Sequence, residues 1–582
     1  MSNVKVVGPA GSNGSVGSTT SPNSPNGGAG TSGGGANADN EDGYPGPSES
    51  AEGTGGAGGN GGAGAVQGTS LGVGGNGGVG GYGIAAAGAN DGFADASETV
   101  ATGTGGNGGD GGNGAVSGSD QAAGGNGGRG GNAIARTANS SGTTTYAIAS
   151  AVGGLGGAGG AGGGEGGAGG NATSGADASN QSQPSGLSHA SDTAKGGQGG
   201  AGGADGGNGG AGGNAIGTAG SDSLEGSVCT CTATAGNGGV GGSGGGAGGA
   251  GGNASAGGQN YGDITATARG GNGGTGSGSG GAGGTANVVV YAISGGPGQI
   301  AVSNAYGGQG GAGAAGIAGN GGAATALAGA NGTGATYATA KAVAGGSYTT
   351  GAEAQANAAG DGGSGLVKTT AISAPQQSQQ PVTLVAIEAQ ASVPIYGANS
   401  TAESLTNYGG SLIAPSTGLS ALAEGIATPS SAEYSTISAA NPVIGNAFGP
   451  TPNIFDVGEL GGGYAGSGTG SQTSVSTVTA TINLATLTSG GTLMLGLFDG
   501  AITDAAGVSN VAFEITDISN GDVLLDKAYT GSAALSAFTD NIIGEKPFTD
   551  TGTVTVQISL SVTTTAPGAS FTGDFIFGAH LA

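Results

Sequence analysis

Cys229 and Cys231 stand one residue apart in VCTCT, so on a strand both thiols share one face. A structural zinc site takes four such ligands, and the chain adds only His189 and His580. The pair therefore reads as two small residues on a strand, and with only two cysteines, disulfides do not hold the chain together. Gly241-Gly242-Ser243-Gly244-Gly245 matches G-x-S-x-G, the nucleophile elbow of serine hydrolases. That elbow needs a strand before it, a helix after it and a histidine partner, and a glycine tract supplies none of these. The many G-x-G-x-x-G matches open no strand–helix unit either. Asp110, Glu165 and Asp205 could attract calcium, but each stands singly amid Gly and Ala, and the calcium-binding nonapeptide is not repeated. No catalytic residue, no cofactor-binding residue and no metal ligand is expected, so the reading is of a protein that is not an enzyme and carries no cofactor.

The stretches that must position these residues are themselves unusual. Residues 196–214 read GGQGGAGGADGGNGGAGGN, a Gly-Gly-X rhythm of three that matches neither the 3.6 of an α-helix nor the 2.0 of a strand. It fits a polyproline-II-like helix with three residues per turn and no internal hydrogen bonds, whose bare glycine faces let other backbones approach and bond. A single residue breaks the rhythm at Asp205, and similar skips fall at Glu165, Ala247 and Ser279. Blocks opening at Gly153, Gly196, Gly238, Gly270 and Gly307 then mark a duplicated unit. The arms between blocks, such as residues 132–151, 263–269 and 285–294, alternate with period two and read as short strands. From Gly307 the triplets decay towards Ala and Ile, as a terminal repeat would.

The expected fold class is repeat/all-β: a polyglycine-II-like bundle of GGX helices with short β arms, followed by a C-terminal antiparallel β-sandwich. A Gly-rich β-solenoid is the structural runner-up. The boundaries are a disordered tail at 1–52, the Gly-rich repeat bundle at 53–365, and a linker at 366–381. A mixed segment with short strands and helix follows at 382–470, and the β-sandwich occupies 471–582. Within the mixed segment, residues 430–449 carry helix signals: a capping Ser430 or Ser431, and Pro442 at a first helical position after Asn441. Later, 532–543 reads as a short helix between strands, and Ser519-Asn520-Gly521-Asp522 as a hairpin turn.

Gly accounts for 150 of 582 residues, and 35 acidic residues against 9 basic ones give a net charge of −26. The basic residues are scattered singly, so no patch exists to meet phosphates and nucleic acid is not an expected partner. No run of about 18 apolar residues suggests a transmembrane segment. The first residues lack the charged-then-apolar pattern of a secretory signal peptide.

Residues 55–365, in runs such as GGAGGNGGA from Gly55, resemble the polymorphic Gly-rich repeat (PGRS) regions of mycobacterial surface proteins. The repeats also resemble the polyglycine-II sandwiches of some phage tail adhesins and Gly-rich antifreeze proteins. NPVIGNAFG (441–449), FDVGELGGGY (455–464), FTDNII (538–543) and TTTAPGASFTGDFIFG (563–578) resemble a C-terminal module of large secreted repeat proteins of proteobacteria. These resemblances imply an extracellular or cell-surface protein without catalytic residues. The expected function is structural or adhesive, a Gly-rich rod presenting a head; the alternative is a ligand-binding module for a glycan or ice, or a phage-type tail adhesin. The expected partners are further copies of itself or a cell-surface glycan. The expected export route is one-step secretion on a C-terminal signal in residues 573–582, GDFIFGAHLA; Phe575-Ile576-Phe577 within it also reads simply as the last strand, with Phe575 and Phe577 on one face.

Overall fold

The structure, a computed structural model, describes residues 2–20, 24–40, 48–89, 97–140, 144–179, 187–221, 226–293, 299–314, 317–332, 336–345, 352–360, 367–375, 387–394, 399–406, 419–427, 431–450, 453–463, 471–483, 492–519, 521–547 and 553–580. Two 15-stranded sheets run through it. One coil shows how they arise. Strand Ala172–Ala178 runs outward, strand Leu187–Lys195 returns, and the chain passes through the glycine block at 196–214 before strand Ala215–Ser221 runs outward again. Outgoing strands stack only on outgoing strands and returning strands on returning strands. Ala172 thus faces Ala215, and His189 faces Val228, in parallel register. Parallel neighbours need a long crossover between them, and here the rest of the coil supplies it.

This corrects the expected fold class. Large, mostly parallel sheets dominate the molecule, in place of a bundle of GGX helices followed by a free-standing antiparallel β-sandwich. The arrangement is β-helix-like, nearer the Gly-rich β-solenoid. The physical reason lies in the arms: each is long enough to make a strand, and each repeats in the same direction, so parallel pairing follows. The C-terminal strands extend the same two sheets. Asn399–Thr406 pairs in parallel with Gln472–Asn483, and only beyond that does the returning sheet turn antiparallel. The outgoing sheet changes one step earlier, at the pairing of Ile387–Pro394 with Leu419–Ala427.

Alternation sets the core. In Ala133–Asn139 and Thr144–Val152 every second residue is buried, and all of those are Ala, Thr or Asn. Side chains this small let the sheets face one another closely along the repeat.

The glycine blocks are neither helix nor strand. Each block is two runs laid antiparallel, and the two layers bond through the second glycine of each triplet, as in Gly157 N–H to Gly128 C=O and Gly167 N–H to Gly157 C=O. The first glycine donates to the X residue one coil on, as Gly156 does to Gln198 and Gly159 to Ala201. A Cβ on Gly210 would overlap the carbonyl of Gly167 in the coil below, and one on Gly209 that of Gly239 in the facing layer. The skip in the rhythm is where the run reverses: Gly162, Gly163, Asp205 and Gly206 all take positive φ there, a conformation that Gly adopts freely and Asp tolerates better than most residues. The two earlier blocks reverse instead through hairpins, Val66–Gln67 with Ser70–Leu71 and Val116–Ser117 with Asp120–Gln121.

Residues 1–52, expected as a disordered tail, contribute strands Ser2–Val7 and Ala36–Asn40 and enter the stack through Gly8, Gly11 and Gly14. In this first coil Pro9, Ser12, Ser15 and Thr31 occupy the second-glycine position. The equivalent glycines one coil on, Gly56, Gly59, Gly62 and Gly78, face the carbonyls of these four residues.

The C-terminal part is built differently. Helix α1 (Ser431–Ala440) and helix α2 (Pro442–Phe448) pack on the outgoing sheet, burying Ile444 and Phe448 against Met494, Phe498 and Ile576. The helix signals at 430–449 correspond to these two helices, with Pro442 opening α2. Helix α3 (Gly531–Ala537) starts one residue before the expected 532–543 helix and covers only its first half; from Asp540 that segment belongs to strand Asp540–Pro547. Between the sheets sit Phe513, Phe538, Phe571 and Phe575. The turn at Asn520 lies outside the described residues; the flanking strands Val508–Asp517 and Asp522–Tyr529 pair antiparallel. The final strand, Ser570–His580, is an interior strand, third from the end of its sheet, with Phe575 and Phe577 in the core between sheets and Ile576 on the helix-covered face.

Candidate functional surfaces

The residues whose types suggested chemistry are dispersed. Ser243 lies at the reversal of a glycine run, followed by Gly244 and Gly245 at positive φ, and its carbonyl accepts from Gly206 N–H at 2.6 Å. His189 stacks on Tyr146 with ring centroids 4.9 Å apart and planes 7° from parallel. His580 ends the last strand. Asp110 and Glu165 occupy X positions. Asp110 Oδ1 accepts from Ala158 N–H at 2.8 Å, and Glu165 N–H donates to Asn126 Oδ1 at 2.9 Å. Among the described residues no group of three or more His, Cys, Asp or Glu is placed to hold a metal.

Two kinds of repeating surface stand out. On the glycine slab the X residues point to solvent, one above another from coil to coil. Where X is Asn, its side-chain Oδ1 accepts from the backbone N–H of the X residue in the next coil. One row runs Asn132, Asn171, Asn214, Asn253 to Thr285, at 2.8–3.0 Å per step. Another links Asn13, Asn60, Asp110 and Ala158. The glycine bonds leave the X residue's N–H free, and the Asn side chain satisfies it. The frequent Asn in the GGN triplets was visible in the sequence, but its partner, a backbone group about 40 residues away, was not.

The second surface is the outer face of the returning sheet. Ser191, Thr230 and Thr265 align in one row, and Thr193, Thr232 and Thr267 in the next. Parallel strand geometry spaces such hydroxyls roughly 4.8 Å across strands and about 6.6 Å along them. Beside these rows Arg269 lies over the Tyr306 ring at 4.3 Å and Lys341 Nζ at 5.7 Å, a cation–π arrangement across three neighbouring strands in the middle of the sheet. This pattern could have been found by writing the arms in register, because TCTAT and TATAR carry it.

Buried ionisable groups lie beneath these surfaces. Asp192, in the Ala-rich core, is 1% exposed, and the Cys231 thiol approaches its Oδ2 at 3.5 Å. Burial pushes the Asp192 carboxyl up to about 7. Gly217 makes the space: a Cβ there would collide with the Asp192 carboxylate. Burial, and then the neighbouring Asp192, push the Cys231 thiol well above its ordinary value. Cys229 and Cys231 are both buried, unbridged, and on one face of strand Val228–Thr234. Glu459, in strand Asn453–Gly463, is likewise raised to about 7 by burial, and its cross-strand neighbours are Glu424 and Asp574.

At the other end, α1 and α2 frame a shallow groove of about 610 Å³ lined by Tyr434, Ser438, Pro442 and Asn446. The Asp540 carboxylate accepts from the N–H groups of Val443 and Ile444 at 2.9 and 3.1 Å, pinning the start of α2 to strand Asp540–Pro547. A carboxylate there meets otherwise unpaired helical N–H groups.

A comparison with family models finds no match for this chain, and one with curated proteins finds none either. No helix of the described residues is long and apolar enough to cross a membrane.

Proposed function

We propose that this is a non-enzymatic extracellular protein of structural or adhesive role, a stiff repeat rod that displays the same surface many times over. The observation that carries the reading is the coil-to-coil register: X residues and outward strand residues recur at fixed positions because backbone bonds tie each coil to the next. Such a surface suits a partner that is itself repetitive, because many weak contacts then act together. The resemblance to secreted and surface repeat proteins supports the extracellular setting, and one-step secretion remains the proposed route.

A ligand-binding role is the second reading, and the Ser/Thr rows favour it. They form a flat, uncharged lattice of hydroxyls of the kind that could meet a glycan polymer or ice. The test uses the full chain and a variant carrying Thr230→Lys, Thr232→Lys, Thr265→Lys and Thr267→Lys. Adhesion to cells and glycan arrays, and inhibition of ice recrystallisation, are measured for both. Adhesion unaffected by the four lysines supports the structural role. Glycan or ice binding lost in the variant supports the second reading. Turnover of a substrate, lost on mutating a defined polar cluster, would overturn both.

A further inference from the structure

Asn-Gly is the dipeptide most prone to spontaneous deamidation, because glycine leaves its own backbone nitrogen unhindered for attack on the preceding side chain. The slab uses this dipeptide throughout. In ten Asn-Gly steps among the described residues, the Asn Oδ1 accepts from the backbone N–H of one residue in the next coil at 2.8–3.1 Å. In every one of these steps the following glycine donates its N–H to the carbonyl of that same residue, at 2.7–2.9 Å. Asn237-Gly238 shows the arrangement: Oδ1 takes the N–H of Asn272 at 2.9 Å, and Gly238 N–H gives to Asn272 C=O at 2.8 Å. Both reacting groups, the side-chain amide and the attacking nitrogen, are thus held by one residue of the neighbouring coil. These asparagines face solvent, so burial does not shield them.

We infer that the Asn-Gly steps of the slab are latent modification sites, kept inert by this two-bond clamp and released wherever a coil separates from the next. On release, the glycine nitrogen forms a bond to Cγ of Asn, the Cγ–Nδ2 bond breaks, and ammonia leaves with the proton. Water then opens the cyclic imide to Asp or to isoaspartate. The Asp product fits the stack, because Asp110-Gly111 makes the same clamp on Ala158: Oδ1 accepts its N–H, and Gly111 donates to its C=O at 2.8 Å. Isoaspartate does not fit, because it inserts a methylene into the main chain and shifts the glycine out of register with the coil above. The steps that react while a coil is open therefore keep a chemical record of opening, and the isoaspartate among those records prevents the coil from closing again.

The experiment incubates the full chain, folded and urea-unfolded, in the same mildly alkaline buffer and follows Asn60, Asn126 and Asn237 by peptide mass spectrometry. The clamp predicts that the folded chain loses these amides at roughly a tenth of the unfolded rate or below, as expected when reaction requires local opening. Equal rates in the two states would overturn it. Asn272→Pro then removes the N–H that Asn237 accepts while keeping the carbonyl that Gly238 uses. In a chain that still folds, Asn237 should deamidate faster than Asn107 and Asn208. An unchanged Asn237 would show that the side-chain limb of the clamp protects nothing. Should the variant fail to fold, the comparison of folded and unfolded native chain still decides.

Discussion

The glycine-repeat region and the C-terminal region share the same two sheets but set register by opposite means. In the slab the interior is backbone: glycine carbonyls and N–H groups of adjacent runs meet with no side chain between them, and register comes from bonds that recur every third residue. In the C-terminal region register comes from volume: Phe538 meets Phe513 and Phe571 edge-on at 5.9 and 5.1 Å, and α1 and α2 seal the outer face. A backbone interior tolerates nothing larger than hydrogen but can be extended indefinitely by duplication. A side-chain interior tolerates exchange of similar volumes but closes once. This difference explains why the repeat is so uniform.

The contrast is broken most severely by adding a side chain to the slab. Gly210→Val puts a Cβ into the Gly167 carbonyl, and relief requires two coils to separate. We expect a loss above about 4 kcal/mol, at the upper end for single substitutions, seen as a large fall in thermal stability together with loss of the cooperative transition of the repeat. Next comes Phe538→Ala, which should cost about 3–5 kcal/mol by leaving a cavity. Proteolysis should then open the C-terminal strands while the glycine blocks stay resistant.

A third effect is on pH. Asp192 has its folded carboxyl raised from 3.8 to about 7, so the unfolded chain loses this proton first. Stability from this group is fully present below about pH 4, falls as pH rises from about 4 to about 7, and is level above that. The drop is on the order of 4 kcal/mol for this shift, and Glu459 adds a fall in the same direction. Asp192→Asn should flatten that slope in urea titrations at stepped pH. A profile that instead rises from pH 4 to 7 would contradict the buried, protonated carboxyl. The smallest effect is expected for Ala211→Ser, an X position facing solvent, which should stay within about 0.5 kcal/mol of the native chain.

Much of the repeat was legible because its signals are local. The triplet rhythm, the alternation of the arms and Pro442 at the start of α2 each need only a few neighbouring residues. What could not be read is long-range. That the skip at Asp205 reverses the run depends on a positive φ, and a single Asp amid glycines does not declare it. That Pro9, Ser12 and Ser15 stand at second-glycine positions of a coil shows only in their carbonyls facing Gly56, Gly59 and Gly62, about 47 residues on; without the glycines they read as lying outside the pattern. The parallel pairing of the arms, which overturned the expected bundle-plus-sandwich, follows from each coil returning in the same direction, a property of the whole repeat. The candidate surfaces divide the same way: the hydroxyls of TCTAT were visible as residues, but their alignment with Thr265 and Thr267 required the register.

The account rests on coils being tied by backbone bonds through segments that are neither helix nor strand. Residue-resolved amide hydrogen exchange on the full chain tests this most directly. The account predicts that Gly156, Gly157, Gly199 and Gly200, and the X-position amides of Asn171 and Asn214, are protected as one cooperative unit together with strands Leu187–Lys195 and Val228–Thr234. Slab amides that exchange at the rate of an unfolded chain while those strands remain protected would contradict it.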